Sequence, residues 1–300
     1  MIKNIIFLLV LLNLCFSQTA LYGLDGWYQV SSLSAAGGTG AVPNTNSDII
    51  NPAGLATLAE QVQINLIKYP ADIGAQSAIY IKKINKTNVG LGLRHLSYGK
   101  FIFADEEGIE NGTYSASDTW LSAGLSRITK NISFGATGGI FHSKLESYSA
   151  TAIVFVGGAI YDYSQIDMQI GISLSNFGLF VSRYTEHKEK LPTKIILSAN
   201  KELAHLPLDL NADIGFNPYT KISYLRVGGI FELPYNLKLS IGFNSNNMTQ
   251  SIETNLAKSV LGSSGIGIAY THNKYSIELG GYSYGVGGWI FGTGFNIKLY

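Results

Sequence analysis

The stretch IDMQIGISLS, residues 166–175, alternates without a break. Ile166, Met168, Ile170, Ile172 and Leu174 fall on one phase; Asp167, Gln169, Gly171, Ser173 and Ser175 fall on the other. Successive side chains of a strand point to opposite faces, so this segment has one apolar and one polar face. The same rhythm returns in residues 208–216, in residues 237–244 and in WIFGTGFNIKL, residues 289–299. Each run is about as long as a tilted strand needs to be to cross a bilayer. Two architectures give such strands. A soluble sandwich turns the apolar face inward to a core, whereas a membrane barrel turns it outward to lipid. Alternation alone does not choose between them.

Composition narrows the choice. Charged residues are 14% of the 300, against about 25% in ordinary soluble domains, while apolar residues reach 46% and aromatics 12%. Such a chain is too apolar for disorder and too poor in basic charge for a nucleic-acid binder. The single Cys15 excludes a disulfide framework and a CxxC metal site. Past the first twenty residues there is no apolar run of helix-spanning length.

Fourteen strands can be drawn: 61–69, 75–84, 87–97, 118–129, 131–142, 149–162, 166–176, 193–202, 207–216, 222–232, 236–246, 263–272, 274–284 and 288–299. The count is even, as a closed bacterial barrel requires. From the second strand on, every other connection is short, such as Asn85–Lys86, Lys130 and Asn273. The intervening ones include long loops at 98–117, 177–192 and 247–262. Short turns at one end and long loops at the other are a barrel's topology. The expected fold is therefore all-β: a transmembrane antiparallel β-barrel of about fourteen strands over 61–300, in the bacterial outer membrane. Both ends of the chain agree. Residues 1–17 read as a signal peptide, with Lys3, an apolar core from Ile5 to Leu12, and Cys15-Phe16-Ser17 before the cut. At the other end Gly294, Ile297, Leu299 and Tyr300 resemble the terminal strand signal that the barrel assembly machinery reads.

Glycine is abundant, at 34 residues, and many glycines fall on the polar phase: Gly90 and Gly92, Gly135 and Gly139, Gly292 and Gly294. Small lumen-facing residues leave room for water, a plug or bulky neighbours. Residues 18–60 do not alternate and read as an N-terminal hatch. Within it Asn51 before Pro52 is a good helix entry, so a short helix packed in one mouth is expected. The polar phases are mostly Asp, Asn, Ser, Lys and Gly, with Phe141 and Ile290 as exceptions.

The segment Asn51-Pro52-Ala53-Gly54-Leu55, after a Gly-rich stretch and a signal peptide, resembles the PorV/PorQ family of outer-membrane barrels, which are related in fold to FadL-type fatty-acid transporters. The PorQ branch is the nearer one. Its likeness runs through Val89-Gly90-Leu91-Gly92-Leu93, Tyr98-Gly99-Lys100-Phe101, residues 112–118, residues 145–149, Asn176-Phe177-Gly178 and Leu191-Pro192. Phe155-Val156-Gly157-Gly158 departs from the pattern, where the family carries an acidic residue. The resemblance implies a fourteen-stranded barrel in a type IX-like secretion and surface-attachment complex, either anchoring a PorZ-like surface protein or handling secreted cargo, with no enzymatic activity and no cofactor of its own.

No catalytic constellation is found. His95, His142, His187, His205 and His272 are scattered, with no HExxH spacing and no GxSxG elbow. His142 near Ser143 and His272 near Thr271 are the only lipase-like pairs, and both are faint. Asp105, Glu106, Glu107 and Glu110 form an acidic loop cluster without EF-hand spacing. Nearby Tyr98, Lys100, Phe101, Phe103 and Tyr114 suit either a protein interface or the aromatic girdle of the barrel. Two functions follow: an interaction barrel that holds a secretion partner, or a FadL-like transporter of hydrophobic small molecules.

Overall fold

The computed structural model describes residues 19–35, 40–104, 108–186, 188–250 and 256–299. Residues 1–18, which include the expected signal peptide, the acidic residues Asp105, Glu106 and Glu107, His187 and Tyr300 lie outside the described residues. Fourteen strands form one closed antiparallel barrel in sequence order. They are β1 (Gln61–Lys68), β2 (Gly74–Ile84), β3 (Thr87–Ala104), β4 (Glu110–Thr129), β5 (Ile132–Leu145), β6 (Tyr148–Tyr163) and β7 (Met168–Ser182), then β8 (Lys194–Glu202), β9 (Leu208–Phe216), β10 (Ser223–Leu233), β11 (Leu237–Asn244), β12 (Ser264–His272), β13 (Tyr275–Ser283) and β14 (Trp289–Lys298). Closure is made by β1 on β14, from Gln61↔Lys298 to Lys68↔Phe291. A closed ladder leaves no strand edge unpaired through the wall, which is what a hydrocarbon surrounding demands. Among the described residues no helix is long and apolar enough to cross a membrane.

The alternation sets the faces as expected. On β4, Trp120 is 1% exposed and faces inward, while its neighbour Leu121 is 58% exposed and faces out. Leu93, Ile140, Phe291 and Ile214 lie on the same outward belt. All six glycines named above face the interior.

Three details differ from the expectation. The segment expected as a loop at 98–117 is mostly strand. β3 continues to Ala104 and β4 starts at Glu110, paired through Lys100↔Ser115, Phe101↔Tyr114 and Ile102↔Thr113. These stretches are rich in Ser, Thr, Tyr and Phe but have no single apolar face, so periodicity misses them while β-propensity and hairpin continuity favour pairing. The ladder slips between Ser97 and Lys100, where Gly99 takes φ 87°, a left-handed conformation that costs glycine least. Second, the lumen phase is less polar than the alternation suggests. Ile67, Ile79, Ile81, Leu96, Val154 and Tyr282 join Phe141 and Ile290 on it.

The third difference explains the second: the hatch occupies the interior along its length, not one mouth alone. Residues 19–28 lie at the long-loop end, where the Ala20 N–H donates to the Lys190 carbonyl at 3.0 Å. Helix α1 (Val30–Ser34) packs on β12–β14, and α2 (Ser47–Ile50) spans the middle. A 3-10 helix, Pro52–Thr57, then closes the short-turn end against β3–β6. A Cβ on Gly265 would fall on the Leu33 carbonyl, and one on Gly135 on the Pro52–Ala53 peptide. Glycine is thus required at these wall positions because hatch backbone lies against wall backbone.

Candidate functional site

The interior is one continuous interface between hatch and wall, organised in three levels. At the long-loop end it is aromatic. Trp27 of the hatch meets Tyr282 edge-on at 4.4 Å between ring centroids, and Tyr284 at 6.5 Å. Tyr69, in the β1–β2 connection, accepts from the Trp27 N–H at 2.9 Å and donates to the Trp27 carbonyl at 2.8 Å. Burial pushes its hydroxyl well up from the usual range, which keeps the phenol protonated for that donation. Tyr28 donates to the Gly23 carbonyl at 2.6 Å, and below it lie Leu33, Ile67, Leu96 and Ile290. Across the lumen a second apolar cluster joins Leu24, Ile49 and Ile50 of the hatch to Trp120, Phe141 and Val154 of the wall. The hatch tip is held by Asp25, which meets Lys194 at 2.7 Å and accepts from Asn176 Nδ2 at 3.0 Å.

At mid-height the contact is ionic. Arg94 on β3 and Asp48 on α2 form a two-pronged pair, Nη2–Oδ1 at 2.6 Å and Nη1–Oδ2 at 3.0 Å. Their side chains are 0% and 2% exposed. Ser122 on β4 donates to Asp48 Oδ2 at 3.0 Å, and the guanidinium lies 5.7 Å from the Trp120 ring centroid. Both prongs and the hydroxyl are satisfied while Arg94 Nε, also buried, has no hydrogen-bond partner among the described residues, so the cost of burying two charges is offset only in part.

At the short-turn end asparagines join hatch to wall. Asn88 Nδ2 donates to the Leu55 and Leu58 carbonyls at 2.7 and 2.8 Å. Asn51 caps the 3-10 helix by accepting from the Ala53 N–H at 3.3 Å, while its Nδ2 donates to the Gly40 carbonyl at 2.8 Å and the Ala159 carbonyl at 3.3 Å. Asn51→Ala should therefore weaken hatch docking by about 1–3 kcal/mol, since it removes the cap and orphans buried carbonyls. Faster protease cleavage within 40–60, with barrel mobility on gels unchanged, would register it; unchanged protection would refute it.

The residues singled out by sequence are distributed unevenly. Asn51, Pro52, Gly54 and Leu55 all belong to the stopper, and Leu55 is buried against Ile79 and Ile81. Tyr98 turns inward and donates to Asp118 at 2.7 Å. Lys100, Phe101 and Phe103 are exposed on the β3–β4 projection, where Phe101 stacks on Tyr114 at 5.2 Å. Gly294 faces Asn65, Ile297 pairs with Val62 and Tyr275, and the Leu299 N–H donates to the Glu60 carbonyl at 2.8 Å. His142 points outward to Thr151 while Ser143 points inward to Asp118, so the two do not form a nucleophile–base pair. Among the described residues no three His, Cys, Asp or Glu side chains group as a metal site. Asp48, Arg94, Trp27 and Tyr282 were not singled out by sequence. The available signal was an arginine on a lumen phase otherwise held by the uncharged Asn88, Gly90, Gly92, Leu96 and Tyr98.

No protein-family profile matches the chain, and no curated protein does. Solved structures do. The Ralstonia pickettii toluene transporter TbuX superposes with a TM-score of 0.64 at 11% identity, over 93% of this chain and 100% of its own. The fold is that of the FadL-type barrels. The P. putida toluene transporter TodX gives 0.61 at 12% identity, over 92% of this chain and 99% of its own. A Pseudomonas aeruginosa FadL homologue gives 0.56 at 11%, over 91% and 98%. At such identities the likeness concerns the fold alone.

Proposed function

We propose that this chain is an outer-membrane barrel that admits hydrophobic small molecules from outside the cell, past an N-terminal hatch. The observation that carries this reading is the interior. A fourteen-stranded wall encloses a hatch whose long-loop end is ringed by Trp27, Tyr28, Tyr69, Tyr282 and Tyr284. Apolar solutes partition into such aromatic surroundings, and ligand sites are built from them with few polar groups. The fold likeness to barrels described as toluene transporters and a FadL homologue points the same way. Deleting the protein should abolish uptake of a radiolabelled aromatic hydrocarbon or long-chain fatty acid supplied at low concentration, and re-expression should restore it. Uptake unchanged by deletion for both solutes would overturn the reading.

A second reading, a surface anchor in a type IX-like secretion complex, has one structural observation in its favour. Phe101, Ile102 and Phe103 are exposed on a β-hairpin that rises beyond the end of β2. Between them and the apolar belt the outward phase carries His95, Ser97, Ser115 and Thr119. Co-purification with a surface-attachment protein, lost in Phe101→Ser with Phe103→Ser, is the expected result of that reading. A pull-down without such a protein would remove it.

A further inference from the structure

An apolar groove of about 490 Å3 runs across the outer face of β2–β5. Its floor is Ala78, Ala123 and Gly138, and Leu91, Leu93 and Leu121 rise beside it. Ala123 sits directly between Leu91 on β3 and Gly138 on β5. Toward the short-turn end the outward phase of the same strands ends in cations. Lys82 follows Ala78 and Tyr80 on β2; Arg127 follows Ala123 and Leu125 on β4. At about 3.3 Å per residue, Arg127 lies roughly 13 Å along its strand from Ala123. Lys86 and Lys130 stand in the two adjoining turns. All four are exposed, and none forms a salt bridge among the described residues. Asp162 shares the inward phase of buried Ile160, whereas Glu60 stands on the outward phase, one ladder step beyond Gln61↔Ile81 and so beside Lys82, and accepts from the Lys83 main-chain N–H at 3.2 Å. One outward acid against these four exposed cations leaves the rim net positive.

We propose that this wall holds an anionic phospholipid of the periplasmic leaflet, its phosphate between Lys82 and Arg127 and one acyl chain in the groove. The inference rests on the membrane-embedded reading above. An apolar groove gains little by exchanging one acyl chain for another, because lipid is already apolar. Preference therefore comes from charge: a basic residue near the headgroup level is worth about a factor of five in affinity. A groove and cations on the same outward phase, one chain-length apart, fit a phospholipid and do not fit an extended polypeptide, whose main-chain polar groups would be left unpaired against this wall.

The test uses the purified full chain, delipidated in detergent and titrated with phosphatidylglycerol or phosphatidylcholine, with bound lipid counted by native mass spectrometry. One phosphatidylglycerol should be retained in preference to phosphatidylcholine. Lys82→Gln with Arg127→Gln should weaken retention roughly 25-fold. Lys238→Gln with Lys274→Gln, across the barrel, should leave it unchanged, and Ala123→Leu, which fills the groove, should reduce it. Equal retention of both lipids, or equal loss in both double variants, would overturn the proposal. Heat-dependent gel mobility confirms that each variant is folded. A protein recovered in the soluble fraction would sink the membrane reading itself, whereas an embedded barrel without lipid preference would sink this inference alone.

Discussion

Asp48→Ala should undock the hatch while leaving the barrel closed. The substitution leaves the Arg94 guanidinium at 0% exposure with Ser122 and the Trp120 ring but no counter-charge. Removing one partner of a buried pair costs about 3–5 kcal/mol, because the remaining charge is stranded in a poor solvent. The wall has no such dependence: its hydrogen bonds run strand to strand around a complete ring. The cost therefore falls on the hatch–wall contact. Two measurements follow. Protease should cut within residues 19–60 at least a hundredfold faster than in the parent, if cleavage tracks the open population. Single barrels in planar bilayers should also show frequent open events where the parent is closed. The decisive control is the double variant Asp48→Leu with Arg94→Met. Replacing both charges by apolar side chains of similar bulk is often neutral or stabilising, so protection should return. A hatch that stays protected in Asp48→Ala, or one that stays open in the double variant, would show that the pair does not hold it.

That pair marks the boundary of what the sequence discloses. The wall is legible because a strand's side-chain period is two, so each residue reports its own face and every run repeats the message. The strands at 166–176 and 288–299 need no partner to be recognised. Where a strand leaves the lipid the constraint ends, and SYGKFIFA in β3 and NGTYSAS in β4 lose the pattern although their main chains still pair. The interior is less legible for a different reason. Asp48 and Arg94 meet across 46 residues, and neither has a local pattern that implies the other. Tyr98 shows the same limit: its composition suits an exposed loop, but its place on the ladder turns it toward Asp118. Glycines on the lumen phase were the visible trace of the hatch, since small wall residues imply that something else fills the space.

Gly135→Val should expel the 3-10 stopper from the short-turn end. Gly135 lies inward on β5, and a side chain there would occupy the place of the Pro52–Ala53 peptide. Neither side can yield by rotating a side chain, because backbone faces backbone. β5 is fixed by full ladders to β4 and β6, from Ala116↔Leu145 to Thr129↔Ile132 and from Ile132↔Tyr161 to Leu145↔Tyr148. The stopper is held more loosely, by Asn51, Asn88 and the packing of Leu55. Overpacking costs about 1–3 kcal/mol where side chains can adjust and more where they cannot, so the weaker partner should move. Gly138→Val is the matched control three residues along the same strand. Its side chain would point to the lipid side and meet only the Phe155 ring, 3.3 Å from an added Cβ, which can swing away. Both variants insert the same β-branched residue into β5, so any difference in hatch protection or conductance reports the interior contact and not strand propensity. Equal behaviour would mean that the stopper can shift to make room for the added isopropyl group. An open pore in Gly135→Val alone would identify the Pro52–Thr57 turn as the element that seals the barrel.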